Sequence, residues 1–277
     1  MTTEKAKTAK KGAATGARDF YLKKTQPLVV FGRPRAGTRF ITNILNSFPE
    51  VTLQGEIPDP VMDAVTEFIE RVENYYRVRA SKKGDPGARQ LELWQDKKKA
   101  LIYSFWAGTS QAARAQPAAN CRYFGYKRPE HEKYFEFYER HFGTDHARYV
   151  FCVRNFVDNY LSIKSRWPAR KIEDVADRYV DSIRLYHYAA AAAPGRVLLF
   201  NLDDHVRHGF EYTRSAILEP LGLQASPDHY ERLAHHGPTN TTAGDHGRKR
   251  RTELTPRERQ VVEARPELRE LYSALCA

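Results

Sequence analysis

Residues 28–39 read Leu-Val-Val-Phe-Gly-Arg-Pro-Arg-Ala-Gly-Thr-Arg and combine three local patterns. The apolar run predicts a buried strand, a loop of glycine, proline and arginine follows it, and an amphipathic helix begins after the loop. Backbone N–H groups converge at such a turn, and the helix N-terminus adds partial positive charge. Arg33, Arg35 and Arg39 add full charges. The segment therefore predicts a site for a phosphate-like anion.

The two glycines of this loop, Gly32 and Gly37, have the spacing found in the nucleotide-triphosphate loop G-x-x-x-x-G-K-[ST]. Thr38 stands at the lysine position, and Arg39 stands where the hydroxyl that binds magnesium would be. The loop thus keeps the backbone amides that bind an anion and lacks the metal ligand. The alternative is an ordinary strand-to-helix turn whose arginines are solvated.

Two separate motifs resemble sulfotransferases that use 3′-phosphoadenosine-5′-phosphosulfate (PAPS), of the bacterial or carbohydrate type. The first is Pro-Arg-Ala-Gly-Thr at residues 34–38, which is similar to the family loop Pro-Lys/Arg-Ser-Gly-Thr-Thr. The second lies within residues 149–166, where Arg154 ends an apolar run and Ser162 follows it by eight residues. In the family, this arginine and this serine hold the 3′-phosphate of PAPS. Two motifs at the right positions favour the family over coincidence.

Two weaker matches extend the resemblance over roughly residues 27–275. Residues 125–129, Gly-Tyr-Lys-Arg-Pro, resemble a Gly-x-Lys-x-Pro element, which makes Lys127 a further candidate for the anionic region. A solvated lysine is the alternative there. Residues 247–250, Gly-Arg-Lys-Arg, resemble the basic C-terminal loop of the family.

The chain departs from the family pattern at three positions. Ala36 replaces the usual serine and Arg39 the second threonine, so one hydroxyl near the sulfonate is missing and one cation is added. Leu202 stands at the tyrosine of a Tyr-Glu-Asp element, so adenine contacts are not carried over there. The resemblance implies that PAPS contacts Arg33, Arg35, Ala36, Gly37, Thr38, Arg39, Arg154, Ser162, Arg248, Lys249 and Arg250.

The resemblance also implies two catalytic residues. Arg35 occupies the catalytic Lys/Arg position of the family, where it would stabilise the leaving phosphate. Glu56 follows a short predicted strand and a glycine, and it resembles the glutamate that acts as base in several carbohydrate and tyrosine sulfotransferases. A capping or ion-paired carboxylate is the alternative role of Glu56, and His131 is the rival base. We assign no metal, because the histidines have no ligand spacing with carboxylates or cysteines.

The order of predicted elements favours an α/β fold. Strands at 51–54, 149–153 and 197–200 alternate with helices at 156–165 and 172–193. We therefore predict a P-loop-like, three-layer α/β/α fold with a mainly parallel central sheet and a helical insertion. Ligands bind beyond the carboxyl ends of the strands in such sheets, and both arginine motifs lie at predicted strand ends.

The domain prediction follows from length and local composition. We expect a disordered basic tail over residues 1–18 and a single sulfotransferase domain over residues 19–277, with the insertion at about 59–120. Asp59 and Pro60 form a good start for the first insertion helix. Its helical periodicity predicts a buried stripe of Val61, Val65, Phe68, Ile69 and Val72.

Bulk properties limit the location and the partners of the protein. The net charge of +11 is compatible with nucleic acid, but the basic tail and a cofactor with several anionic groups explain much of it. The three cysteines have neither a disulfide framework nor zinc-ligand spacing, which indicates a reducing compartment. No apolar run of about 18 residues and no signal-peptide pattern is present. We therefore expect a cytoplasmic protein without a membrane span.

The resemblance implies transfer of a sulfonyl group from PAPS to a hydroxyl of a glycan, lipid-linked sugar or small molecule, with 3′-phosphoadenosine 5′-phosphate (PAP) as product. One alternative is a P-loop-type kinase, which needs the lysine and the hydroxyl that the loop lacks. The other is a nucleic-acid-binding protein. The positive net charge is compatible with that function, but the sequence has no recognisable nucleic-acid-binding motif, so we expect no nucleic-acid partner. The acceptor and the oligomeric state stay open.

Overall fold

A five-stranded sheet forms the centre of the computed structural model, which describes residues 25–82, 86–109, 120–142, 147–235 and 251–276. The strand order is β2-β3-β1-β4-β5, and both β2 with β3 and β4 with β5 pair in parallel. The sheet with its flanking helices confirms the predicted P-loop-like α/β fold class. The strands are Gln26–Gly32 (β1), Val51–Gln54 (β2), Tyr123–Lys127 (β3), Arg148–Val153 (β4) and Val197–Asn201 (β5).

Helices alternate with the strands along most of the chain. Within the described ranges, none of them has the length and apolar character needed to cross a membrane. A 3₁₀ turn lies at His131–Tyr134, and a π-helical turn at Arg214–Leu218 follows α8. The α-helices are Thr38–Leu45 (α1), Asp59–Ala80 (α2), Gly87–Thr109 (α3), Phe135–Phe142 (α4), Phe156–Arg166 (α5), Ile172–Ala192 (α6), Leu202–His208 (α7), Phe210–Thr213 (α8), Pro227–Ala234 (α9), Pro256–Glu263 (α10) and Glu267–Cys276 (α11).

The strands β1 and β4 are buried on both faces, which explains their continuous apolar sequences. The side chains of Leu28–Phe31 and of Tyr149–Val153 are fully buried. The ring of Phe31 packs against the rings of Tyr149 and Phe151, with centroids 5.8 and 6.0 Å apart. Such burial makes the ends of these two strands well-defined positions from which the following loops start.

The chain divides into two compact units. The described part of the first unit is 25–28, 49–82, 86–109, 120–126, 136–142 and 147. That of the second unit is 29–48, 127–135, 148–235 and 251–276. The single domain predicted over residues 19–277 stays a prediction, and the predicted tail over 1–18 lies outside the described residues.

The first unit has a core of aromatic side chains from α3, β3 and α4. Tyr103 lies with its ring centroid 5.1 Å from that of Phe124, and Trp106 lies 5.2 Å from Tyr126. This core is therefore built from large rings rather than from a regular aliphatic stripe. Each such ring buries a large apolar area, and this burial stabilises the unit.

The stripe predicted for α2 is wrong in part. Ile69 is buried as expected and the three valines of the stripe are half-buried, but Phe68 is 52% exposed, and Met62 and Glu73 are buried as well. The reason is a charged contact inside the unit, since Lys98 of α3 donates to the Glu73 carboxylate at 3.2 Å. A buried ion pair turned the inward face away from the purely apolar positions.

We predict that Gly32→Ala lowers the free energy of unfolding by about 3 to 5 kcal/mol, because it adds a backbone clash to a strained dihedral angle. A Cβ on Gly32, whose φ is +116°, would lie 2.2 Å from the carbonyl oxygen of Cys152. Gly108→Ala is the matched control, since a Cβ there meets nothing within 4 Å. Urea unfolding measures both variants, and equal midpoints would contradict the prediction.

Candidate functional site

The loop that follows β1 starts from a fixed point against β4. Arg33 N–H donates to the Cys152 carbonyl oxygen at 3.2 Å, and Gly32 N–H donates to the Glu132 carboxylate at 3.3 Å. Both bonds lie at the carboxyl end of β1, next to the carboxyl end of β4. The loop of residues 33–37, called the β1 loop below, therefore begins where the fold class places ligands.

The β1 loop turns into α1 through two residues with positive φ. Arg35 has φ 68° and Gly37 has φ 91°. A positive φ is uncommon for a residue with a side chain, so the conformation of Arg35 needs support from its surroundings. Asn159 gives such support, because its side-chain amide donates to the Pro34 carbonyl oxygen at 2.8 Å.

The N-terminus of α1 suits an anion. Its N-cap is Gly37, which has no side chain to accept from the first amides, and its first turn contains no acidic residue. The first amides of a helix lack intrahelical partners and carry partial positive charge. Thr38 begins the helix and is buried. These features suit an anion, and the anion site itself stays a prediction.

The two motifs meet in one contact. Arg35 Nε donates to Ser162 Oγ at 3.1 Å, so the β1 loop touches the middle of α5. Ser162 is buried and lies two turns into the helix that follows β4. A cationic side chain and a hydroxyl that are 127 residues apart in the chain therefore share one location.

Arg154 lies at the end of β4, as predicted, between two carboxylates. Its Nη2 is 3.5 Å from Asp158 Oδ2, and its Nε is 3.6 Å from Asp203 Oδ1. Its carbonyl oxygen accepts a hydrogen bond from the Tyr179 hydroxyl at 2.8 Å. The pKa of Tyr179 is raised, mainly by burial, so this hydroxyl stays protonated and can donate. The arginine is thus held from its backbone and from its side chain.

Arg33 points into the protein interior. Its side chain is 3% exposed, forms an ion pair with Glu130 at 2.6 Å and donates to the Arg178 carbonyl oxygen at 3.3 Å. Burial lowers the pKa of Arg33, while Glu130 and Glu132 act in the opposite direction. The charge of Arg33 is therefore compensated by protein groups, and a contact with a cofactor stays a prediction.

Glu132 supports the β1 loop from the interior. It is buried, accepts from Gly32 N–H and also accepts from the Ser182 hydroxyl on α6. Burial raises the pKa of Glu132 above its ordinary value, and the Ser182 hydrogen bond opposes that rise. The strand, the 3₁₀ turn and α6 are joined at this carboxylate.

The remaining predicted residues lie in different surroundings. Ala36 is buried in the β1 loop, and Arg39 is exposed on α1. Glu56 is exposed and follows β2, and it belongs to the first unit. His131 is fully buried in the second unit with its ring 4.8 Å from that of Tyr134, and Lys127 is half-buried at the end of β3. Arg248, Lys249 and Arg250 lie outside the described residues.

A contact near the C-terminus supports α5. Arg251 N–H donates to Ser165 Oγ at 3.2 Å, and the Arg251 guanidinium donates to both oxygens of the Glu258 carboxylate, one of them at 2.9 Å. The Tyr160 hydroxyl donates to the same carboxylate. The Arg251 hydrogen bond is the main reason why the pKa of Glu258 falls to about 2. Glu258 is thus ionised at neutral pH and ties α10 to α5.

Sequence reasoning missed the acidic partners of the site, which are Glu130, Glu132, Asp158 and Asp203. Glu130 and Glu132 follow the Gly-Tyr-Lys-Arg-Pro element, and Asp203 is the second residue after β5. A polar residue just after a buried strand is the signal that points to Asp203. Glu130 gave no such signal, because its partner Arg33 is 97 residues away. Within the described part of the chain, no group of three or more His, Cys, Asp or Glu could hold a metal ion.

Comparison with known proteins identifies a family. The sequence model of a family described as the sulfotransferase family matches residues 27–227, which is most of the chain. This match includes the β1 loop, Arg154 and Ser162. A comparison with curated protein sequences gave no match.

Several solved structures share the fold. Sulfotransferase STF9 from Mycobacterium avium is 14% identical over 95% of this chain and 80% of its own, with a TM-score of 0.51. Mouse sulfotransferase SULT7A1, solved in complex with PAP, is 12% identical over 92% of this chain and 90% of its own, with a TM-score of 0.51. The sulfotransferase domain from the curacin biosynthetic pathway is 10% identical over 91% of this chain and 98% of its own, with a TM-score of 0.51. At these identities the likeness shows the fold alone.

We predict that Glu130→Gln lowers the free energy of unfolding by about 1 to 3 kcal/mol, because it leaves the buried charge of Arg33 without its ion-pair partner. The loss is smaller than for a fully buried pair, since the Glu130 side chain is 34% exposed. Glu219→Gln is the matched control, because Glu219 pairs with Arg214 at 3.3 Å and is 57% exposed. Its expected loss is below about 1 kcal/mol. Equal urea midpoints for the two variants would contradict the prediction.

Proposed function

We infer the function from one established premise: the chain belongs to the sulfotransferase family. We propose that it moves a sulfonyl group from PAPS to a hydroxyl group and releases PAP. The acceptor that we propose is a glycan, a lipid-linked sugar or a small molecule. The family match does not favour the alternatives of a P-loop-type kinase or a nucleic-acid-binding protein.

The contact between Arg35 and Ser162 carries the proposal. Arg35 is assigned to the leaving phosphate on the 5′ side of PAPS, and Ser162 is assigned with Arg154 to the 3′-phosphate. PAPS carries phosphate groups on both sides of one ribose, so its two binding motifs must lie near each other. The 3.1 Å distance between Arg35 Nε and Ser162 Oγ meets that requirement.

The groups of the β1 loop fit a phosphosulfate. Gly37 and Thr38 offer backbone N–H groups at the start of α1, and Arg35 offers a permanent charge. A sulfonate carries less charge than a phosphoryl group, so arginine and backbone dipoles suffice without magnesium. This fits a loop in which Thr38 and Arg39 replace the Lys-Ser/Thr pair of the nucleotide-triphosphate loop.

The chemistry needs a cation, an in-line nucleophile and a proton acceptor. When bound, PAPS supplies the sulfonyl group, whose bond to a 5′-phosphate oxygen breaks while a new sulfur–oxygen bond forms to the acceptor hydroxyl. Arg35 stabilises the charge left on the phosphate oxygen. We assign to Glu56, an exposed residue that follows β2, the role of taking the proton of the hydroxyl. His131 is the alternative base, but it is fully buried.

We also propose a reducing, cytoplasmic location. All three cysteines, Cys121, Cys152 and Cys276, are free. Two of them are buried, and burial raises the pKa of both thiols, which makes them less reactive. Unpaired cysteines of this kind are typical of proteins in reducing compartments.

The proposed function is tested by incubating the protein with PAPS and an extract of its host, followed by a mass search for sulfonated products. We expect sulfonation with and without EDTA, because the β1 loop has no metal ligand. A parallel incubation with ATP is the control for kinase activity. Activity that is lost in EDTA and restored by magnesium would favour the kinase instead.

We predict that Glu56→Gln lowers the turnover number by about 10²- to 10⁴-fold, because glutamine keeps the size of the side chain but cannot accept the proton. PAP binding should change little. His131→Ala is the comparison variant for the rival base. If Glu56→Gln keeps near-native turnover while His131→Ala loses it, and both variants fold and bind PAP, the base is His131.

A further inference from the structure

Asp203 lies where the end of β5, the start of α5 and the C-terminal helix α11 come together. Its Oδ2 accepts from the backbone N–H of Asn155 at 2.6 Å, from the side-chain amide of Asn155 at 3.0 Å and from the Tyr272 hydroxyl at 2.6 Å. Its own N–H donates to the side chain of Asn201 at 3.0 Å. Three hydrogen bonds from Asn155 and Tyr272 therefore fix the direction of this carboxylate, and the bond to Asn201 holds its backbone.

The second oxygen of Asp203 faces Arg154. Oδ1 is 3.6 Å from Arg154 Nε, and this Nε is a buried atom without a hydrogen-bond partner in the described part of the chain. A carboxylate beside Nε orients the plane of the guanidinium group, and the two terminal nitrogens can then face a second anion. We infer that Asp203 and Tyr272 are positioning residues that orient Arg154 toward the 3′-phosphate. The inference rests on the proposed function.

Tyr272 acts through Asp203. Its hydroxyl has one proton to donate, and the Asp203 oxygen at 2.6 Å is nearer than the Asn201 oxygen at 3.1 Å. Burial and the Asp203 hydrogen bond raise the pKa of Tyr272, so the hydroxyl remains a donor at all physiological pH values. The C-terminal helix thus contributes a side chain that controls the orientation of an arginine at the end of β4.

Asp158 has the opposite effect on the same arginine. Its Oδ2 lies 3.5 Å from Nη2, which is a terminal nitrogen that a phosphate would use, and its side chain is 46% exposed. A carboxylate there repels the phosphate and competes with it for the guanidinium. The two aspartates near Arg154 are therefore distinguished by which guanidinium nitrogen they face.

The test compares the binding of PAP and 5′-AMP by calorimetry, since only PAP has a 3′-phosphate. We expect Asp203→Asn to weaken PAP binding about tenfold and to leave 5′-AMP binding nearly unchanged. The reason is that the Arg154 guanidinium loses the negative charge that orients it toward the 3′-phosphate. Tyr272→Phe should lower the ratio of the affinity for PAP to the affinity for 5′-AMP by about threefold. Asp158→Asn should keep or raise PAP affinity.

Asp204→Asn is the matched control. Asp204 is the next residue on α7, and its carboxylate lies 3.5 Å from the Arg207 guanidinium. This variant therefore removes a negative charge that pairs with Arg207 and not with Arg154. We expect it to keep the PAP to 5′-AMP ratio of the wild type. Thermal unfolding without ligand is measured for every variant, so that a loss of fold is separated from a loss of binding.

Three results would overturn the inference. The first is an unchanged ratio of PAP affinity to 5′-AMP affinity in folded Asp203→Asn. The second is an equal loss of affinity for both ligands in this variant, which indicates a purely structural role. If Asp203→Asn does not fold, Tyr272→Phe decides, and an unchanged ratio in that variant is the third. A wild-type protein that binds PAP no better than 5′-AMP contradicts the 3′-phosphate assignment itself. That failure appears before any substitution is made.

Discussion

The course of the β1 loop depends on how closely the backbone of β1 approaches that of β4 at Gly32. A Cβ at Gly32 would lie 2.2 Å from the Cys152 carbonyl oxygen, so only glycine allows this approach. The approach in turn permits the hydrogen bond from Arg33 N–H to the same oxygen. Because the first loop residue is fixed, the positive φ angles of Arg35 and Gly37 turn the chain at a defined place. The position of every amide at the start of α1 follows from this constraint.

The three arginines between residues 33 and 39 look alike in the sequence but have different surroundings in the structure. Arg33 is buried and neutralised by Glu130, Arg35 contacts Ser162, and Arg39 is exposed on α1. A buried ion pair contributes little attraction for a distant ligand, because the opposite charge is adjacent. Arg33 thus holds the loop in place, and its charge is balanced within the protein. The net charge of +11 says nothing about this division.

Local patterns predicted much of the fold. The strand at 197–200 and the helix at 156–165 agree with the structure to within one residue, since each depends on nearby residues. The turn from β1 into α1 was predictable for the same reason. The partners of the site residues were not, because Glu130 is 97 residues from Arg33 and Tyr272 is 69 residues from Asp203. The buried face of α2 was mispredicted because Glu73 pairs with Lys98 on another helix.

The helix α5 is supported in part by residues beyond the region that the family match covers, which ends at residue 227. Its first turn follows Asn155, which is bonded to Asp203 and through it to Tyr272. Farther along, Tyr160 contacts Glu258 and Ser165 accepts from the backbone of Arg251. Ser162 lies between these two contacts in the sequence, and its hydroxyl accepts a hydrogen bond from Arg35 of the β1 loop. The position of Ser162 next to Arg35 is therefore supported partly by the C-terminal segment.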